Sequence, residues 1–169
     1  MDITKIDYSG TMDFIKAMDI IGNQGPIINL LITTFYLLQQ KKYLLSFLVF
    51  VFINHYSNSI LKMLFKIPRP NTKVSNSPDL ETRWKEFNDD KYGMPSYHAQ
   101  MVFFPLIFLY LVNNRPFVLL LELTICFLTL HQRWKYKRHD IAQLVTGSIV
   151  GAAVAYVGYY LTNHYLRTQ

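Results

Sequence analysis

The apolar residues of this chain are gathered into runs of membrane length, and that grouping limits the fold more than any other feature. Hydrophobic residues make up 51% of the 169 positions, and they fall in blocks separated by short polar connections, unlike the scattered pattern of a soluble domain. A block of about 20 apolar residues crosses the hydrocarbon as a helix, because a helix satisfies its own backbone polar groups where no water can. The sequence therefore reads as one all-α domain over 1–169, a polytopic transmembrane helical bundle with five spans. The spans are expected at 26–40, 43–65, 96–112, 116–131 and 139–162, with an N-terminal interfacial helix at 11–21 and an extramembrane loop at 67–94.

At the start, Asp13, Lys16 and Asp19 recur every third position among Met12, Phe14, Ile15, Met18, Ile20 and Ile21, the pattern of an amphipathic helix lying in the interface. Gly22-Asn23-Gln24-Gly25-Pro26 should break it. Met1 to Lys5 lack the basic-then-apolar pattern of a cleaved signal peptide. In the next block Asn54, Asn58 and Lys62 are four apart and share one helix face, the face that a polar residue at membrane depth turns inward. Pro68 and Pro70 cannot continue that helix. The polar stretch after them carries Trp84 and Phe87, suited to resting on the interface. Pro105 predicts a kink in the third span, and Glu122, in the fourth, a carboxyl hydrogen-bonded between helices. Gly147, Gly151 and Ala155 form a small-residue stripe along the fifth that lets a neighbouring helix approach closely. Tyr156, Tyr159, Tyr160 and Tyr165 make an aromatic belt.

Charge and cysteine use narrow the function. The net charge of +6 points to an anionic partner. Since the cations sit beside apolar runs, lipid headgroups or phosphate esters fit and nucleic acid does not. The lone Cys126 excludes an internal disulfide framework and a cysteine metal site. Alternating the spans brings Lys62, His98, Arg133 and His139 to one face of the bilayer. The other face holds Lys41, Lys42, Arg115 and Arg167 without a carboxylate, and the positive-inside rule makes it cytoplasmic.

Three polar clusters lie on the first face. Lys62 and Arg69 are seven apart, on one face if the helix runs nearly to Pro68; a point-charge ammonium with a planar guanidinium suits a tetrahedral dianion, although the pair alone reads first as snorkelling cations. Gly93-Met94-Pro95-Ser96 predicts a helix N-terminus, with proline pre-set for the first turn and exposed N–H groups that bind anions; Ser96 supplies a hydroxyl and His98 a proton donor. Gln143 lies one turn beyond His139, where its side chain can hold Nδ1 and leave Nε2 as a nucleophile toward phosphorus. Lys135, Lys137 and Arg138 read as interfacial cations.

Together these clusters resemble a known signature. Lys62-x6-Arg69-Pro70, Pro95-Ser96-x-His98 and Arg133-x5-His139-x3-Gln143 are similar to the three motifs of the type 2 phosphatidic acid phosphatase superfamily, over about residues 54–147. Lys91-Tyr92-Gly93-Met94-Pro95-Ser96 with His98 and Gln100, and Gln143 where most of the superfamily has Asp, resemble its dolichyldiphosphatase branch. The resemblance implies a membrane hydrolase without cofactor or metal that converts a polyprenyl diphosphate to the monophosphate. It implies His139 as nucleophile, His98 as general acid and base, Gln143 as orienting residue, and Lys62, Arg69, Ser96, Tyr97 and Arg133 around the phosphate. Tyr97 stands where the family usually has a small residue, and Gln132 where it has Ser before the arginine. The implied partners are the lipid diphosphate and the bilayer, in an endoplasmic-reticulum-type membrane with the site on the non-cytoplasmic side; prenyl length and oligomeric state are left open. Two alternatives stand beside it: a phosphatase for phosphatidate or another lipid monophosphate, and an inactive lipid-binding protein on the same fold.

Overall fold

Apolar periodicity without strand-like alternation gives helices throughout. The computed structural model describes residues 9–70 and 92–165, and among these there are five helices: α1 (Ser9–Leu37), α2 (Lys41–Phe65), α3 (Tyr97–Val112), α4 (Pro116–Lys135) and α5 (Ile141–Tyr165). Helices α2, α4 and α5 are long and apolar enough to cross a membrane, and the rest of the molecule covers no more than 33% of the apolar window of each. The remainder of those faces needs an apolar solvent, so the chain is a membrane protein. At 16 residues α3 is shorter. Five full spans are thus more than helix length and composition support. Trp84, Phe87 and Lys91 fall outside the described residues.

The expected break between 11–21 and 26–40 is absent: α1 runs unbroken through Gly22, Gly25 and Pro26. Two glycines and a proline inside a helix cost on the order of 5 kcal/mol in propensity, and packing on α4 offsets it. A Cβ on Gly22 would stand 2.6 Å from the Leu128 carbonyl oxygen, and one on Gly25 would strike the Thr129 hydroxyl. Gly22 admits the backbone of α4 and Gly25 the Thr129 side chain, rather than turn the chain. Other boundaries differ as well. Lys41 and Lys42 begin α2, α4 carries on to Lys135 so that Arg133 is helical, and α5 starts at Ile141 with His139 ahead of it.

Helix α3 is the hub, packing against each of the other four, while α2 pairs with α5 and α1 with α4. Its Phe104 stacks on Phe47 of α2 at 5.3 Å between ring centroids, and Phe108 and Ala155 complete that core. The α5 stripe seats it against α3: a Cβ on Gly147 would collide with the Ser96 carbonyl, and one on Gly151 with the Gln100 carbonyl. On its other flank the buried Gln100 amide locks α3 to α2, donating to the Asn54 carbonyl and Oδ1 at 2.8 Å and accepting from Asn58 Nδ2 at 2.8 Å. Between α1 and α4, Thr33 donates to Glu122 Oε1 at 2.7 Å and Asn29 to the Glu122 carbonyl at 3.3 Å.

Candidate active site

The C-terminal ends of α2 and α4 and the N-terminal ends of α3 and α5 meet at one end of the bundle. Helix α2 stops at Phe65, where Lys66 turns left-handed (φ 53°) and donates its N–H to the Lys62 carbonyl at 3.0 Å. Lys62 is buried in that last turn. Arg69 is therefore not on the helix. It lies in a short stitched segment in which Pro68 bridges Tyr92 and the Gly93 N–H donates to the Ile67 carbonyl at 2.8 Å. Nor does Pro95 open α3: Ser96 is the N-cap, its Oγ accepting from the Ala99 N–H at 3.5 Å, and Pro95 precedes it after a cis bond from Met94.

Gln143 ties the three clusters together. Its side-chain Nε2 donates to the Pro68 carbonyl at 2.9 Å, its carbonyl accepts from the Ser96 N–H at 3.0 Å, and its Oε1 meets His139 Nδ1 at 3.0 Å. Asp140 Oδ1 accepts from the Gln143 N–H at 2.8 Å, capping the first turn of α5. Gly93 makes room for this: a Cβ there would lie 2.5 Å from Gln143 Oε1.

These bonds assign the ring protons. The Pro68 carbonyl can only accept, so the Gln143 amide turns its nitrogen to Pro68 and its oxygen to His139. Nδ1 of His139 must then donate, and Nε2 keeps its lone pair. At the other ring, Arg133 Nη2 lies 2.8 Å from His98 Nδ1. A guanidinium has no acceptor, so Nδ1 of His98 accepts and the proton of the neutral ring sits on Nε2. The two imidazoles thus present opposite chemistry, one a free electron pair and the other an N–H.

Both rings sit in one field of positive charge. Arg133, Arg69 and Lys62 act electrostatically on His98, as does His139, and Arg69, Arg133 and Lys62 act on His139. His139 is only 3% exposed. Burial first, then Arg69 and Arg133, push its pKa down to about 3, with the Gln143 contact working weakly the other way. Arg133 is 1% exposed, and its Nη1 donates to Asn23 Oδ1 of α1 at 3.2 Å.

His98, His139, Gln143, Lys62, Arg69, Ser96 and Arg133 are thus drawn together. Tyr97, expected around the phosphate, has its hydroxyl 3.2 Å from His55 Nδ1 on α2, and its ring meets the rings of both His55 and His98 edge-on, the latter at 6.0 Å between centroids. Spacing gave no hint of Asn23, which sits in the stretch read as a break, and none of the Pro68 carbonyl. A cleft of about 460 Å³ beside Pro70, Trp134, Lys137 and Ile141 opens onto His139.

Among known proteins, no curated sequence and no solved structure matches this chain. The family model of the PAP2 superfamily matches residues 43–167, which span α2 to α5 and every cluster described above, without pointing to any one branch. The chain belongs to the PAP2 superfamily, whose members are phosphatases.

Proposed function

We propose that this protein removes the terminal phosphate of a polyprenyl diphosphate of the dolichyl type, leaving the lipid monophosphate, through a phosphohistidine on His139. The observation that carries this reading is the pair of opposed tautomers within one group of cations. His139 Nε2 attacks the terminal phosphorus as its bond to the bridging oxygen breaks, and Gln143 Oε1 accepts from the Nδ1–H of the positive ring that results. Lys62, Arg69 and Arg133 take the charge on the phosphoryl oxygens, with the Ser96 hydroxyl as a further donor; each such donor is worth roughly 3 kcal/mol in a dry site. The scheme routes no step through a metal.

In the resting state His98 can neither give nor take a second proton, because Arg133 occupies Nδ1. Phosphate oxygens draw the guanidinium away, Nδ1 takes a proton from the solvent, and the Nε2–H then passes to the leaving lipid phosphate. The ring, now holding its proton on Nδ1, accepts one from water on Nε2 as that water attacks phosphorus and the bond from phosphorus to His139 Nε2 breaks. Phosphate leaves, the Nδ1 proton of His98 returns to the solvent as Arg133 re-forms its contact, and both rings are restored.

The resemblance of Lys91 to Gln100 to the dolichyldiphosphatase motif supports a diphosphate substrate, and the basic opposite face supports a site on the non-cytoplasmic side of an endoplasmic-reticulum-type membrane. The test is purified protein in detergent offered dolichyl diphosphate, a short prenyl diphosphate and phosphatidate side by side. Phosphate is expected from the diphosphates, with an acid-labile, base-stable adduct on His139 and no release by His139→Ala. Faster release from phosphatidate would make it a monophosphate phosphatase, and release from none would remove the enzymatic reading.

A further inference from the structure

Arg133 is held from two sides, and one of them lies outside the family match. Its Nη2 meets His98 on α3, while its Nη1 donates to Asn23 Oδ1 on α1, a helix that ends at Leu37, before the matched residues begin at 43. The approach of α1 is built for this contact. Gly22 and Gly25 flank Asn23 and bring the helix close onto α4: a Cβ on Gly22 would meet the Leu128 carbonyl and stand only 2.9 Å from Cβ of Gln132, next to Arg133, and one on Gly25 would strike the Thr129 hydroxyl. One turn earlier Asp19 Oδ2 accepts from Lys135 Nζ and from the Tyr136 hydroxyl, both at 2.7 Å, fastening α1 beyond the far side of Arg133.

The chemistry of the contact matters as much as its place. A carboxylate at position 23 would grip a guanidinium more tightly, with a charge-assisted and often bidentate pair. It would also neutralise the cation that a phosphate must recruit. An amide oxygen orients the guanidinium through one neutral hydrogen bond and leaves its charge in place. Asp19, by contrast, spends its carboxylate on Lys135, which faces away from the two imidazoles.

We propose that Asn23 is a positioning residue: it aims Arg133 at the substrate phosphate without discharging it, and thereby makes α1 part of the oxyanion site. The inference rests on the function proposed above and concerns the same site. Asn23→Asp distinguishes it from a purely structural bridge. The side chains are isosteric, so a bridge would be kept or strengthened, and melting temperature in detergent should be held or raised. A positioning role instead predicts that the carboxylate competes with phosphate. KM for the prenyl diphosphate and the inhibition constant of inorganic vanadate should both rise by roughly tenfold, kcat changing less. Asp19→Ala, which loosens the same seam without touching Arg133, should lower the melting temperature and leave KM unchanged.

An Asn23→Asp protein with KM within about twofold of wild type overturns the proposal, being less than the equivalent of one lost neutral hydrogen bond; so does an Asp19→Ala protein whose KM rises as far. If wild type releases no phosphate from any lipid, the proposed function fails by itself. Direct vanadate binding then decides the role of Asn23: weaker binding by Asn23→Asp upholds it and equal binding overturns it.

Discussion

At the scale of single residues, the cations proposed to hold a phosphate also act on the ring proposed as nucleophile. His139 has a pKa of about 3 against an ordinary 6.5, from burial and then from Arg69 and Arg133. Between those values the folded protein binds fewer protons than the unfolded chain, so stability is full above about pH 6.5 and declines as pH falls toward 3. The slope contributed by this one ring approaches about 1.4 kcal/mol per pH unit. Wild type in detergent should therefore lose more stability between about pH 7 and pH 5 than His139→Asn, measured by thermal melts. Parallel declines would mean that the ring titrates as an ordinary histidine. The contact of His139 with Gln143 was legible in the spacing, because an i, i+4 pair is a local matter. The second job of Gln143 was not legible. A glutamine replacing the family's usual aspartate reads as a weaker orienter, yet its amide nitrogen holds Pro68, 75 positions away. An aspartate there would reach less far and carry no donor. Asn23 meets Arg133 across 110 positions, and no local pattern marks such a contact.

At the scale of helices, apolar periodicity shows where a helix exists and says little about what glycine does inside it. Gly22, Gly25 and Pro26 carry every local sign of a break, and the stripe Gly147, Gly151 and Ala155 every sign of close packing. In the structure the glycines of both sets admit a neighbouring helix, Gly22, Gly147 and Gly151 at its backbone and Gly25 at its side chains. The difference lies in the partner surface, α4 in one case and α3 in the other, which the local sequence does not contain. The α5 stripe also sets the distance between His139 and His98, since α5 begins two residues after one ring and α3 carries the other. Gly151→Leu should force the helices apart at Gln100. The expected cost is about 1–3 kcal/mol of stability from overpacking, and phosphate release should fall far more than the melting temperature implies, because an ångström of misplacement costs on the order of 10²-fold in rate. Full activity in this variant, assayed at a temperature where it remains folded, would show that the two rings are not registered through α5.

For the whole molecule, the order of helix ends makes a claim about sidedness that the site itself does not. The turn between α3 and α4 and the start of α2 lie at the end away from the imidazoles, and Arg115 there rests over the Tyr36 ring at 5.7 Å, near the end of α1. If α2 to α5 cross the bilayer, Lys42 and Asn114 face one side while Lys66 and Lys137 face the other. All four positions are exposed. The only native thiol, Cys126, is 1% exposed among Asn29, Val102 and the α4 backbone, and gives a quiet background. Single cysteines placed at these positions in sealed vesicles should fall into two classes with a membrane-impermeant maleimide. Lys42→Cys and Asn114→Cys should label only from the cytoplasmic side, which carries cations unaccompanied by carboxylates, and Lys66→Cys and Lys137→Cys only from the opposite side. Labelling of all four from one side would mean that the helices re-enter rather than cross, and labelling in two classes of reversed sense would put phosphate release in the cytoplasm. The thinness of α3, 16 residues against the roughly 20 that a straight span needs, makes the pair Asn114 and Lys66 the decisive one. Among the described residues between them α3 is the one helix, so opposite labelling is the outcome expected if this short, buried hub crosses the hydrocarbon within a locally thinned bilayer.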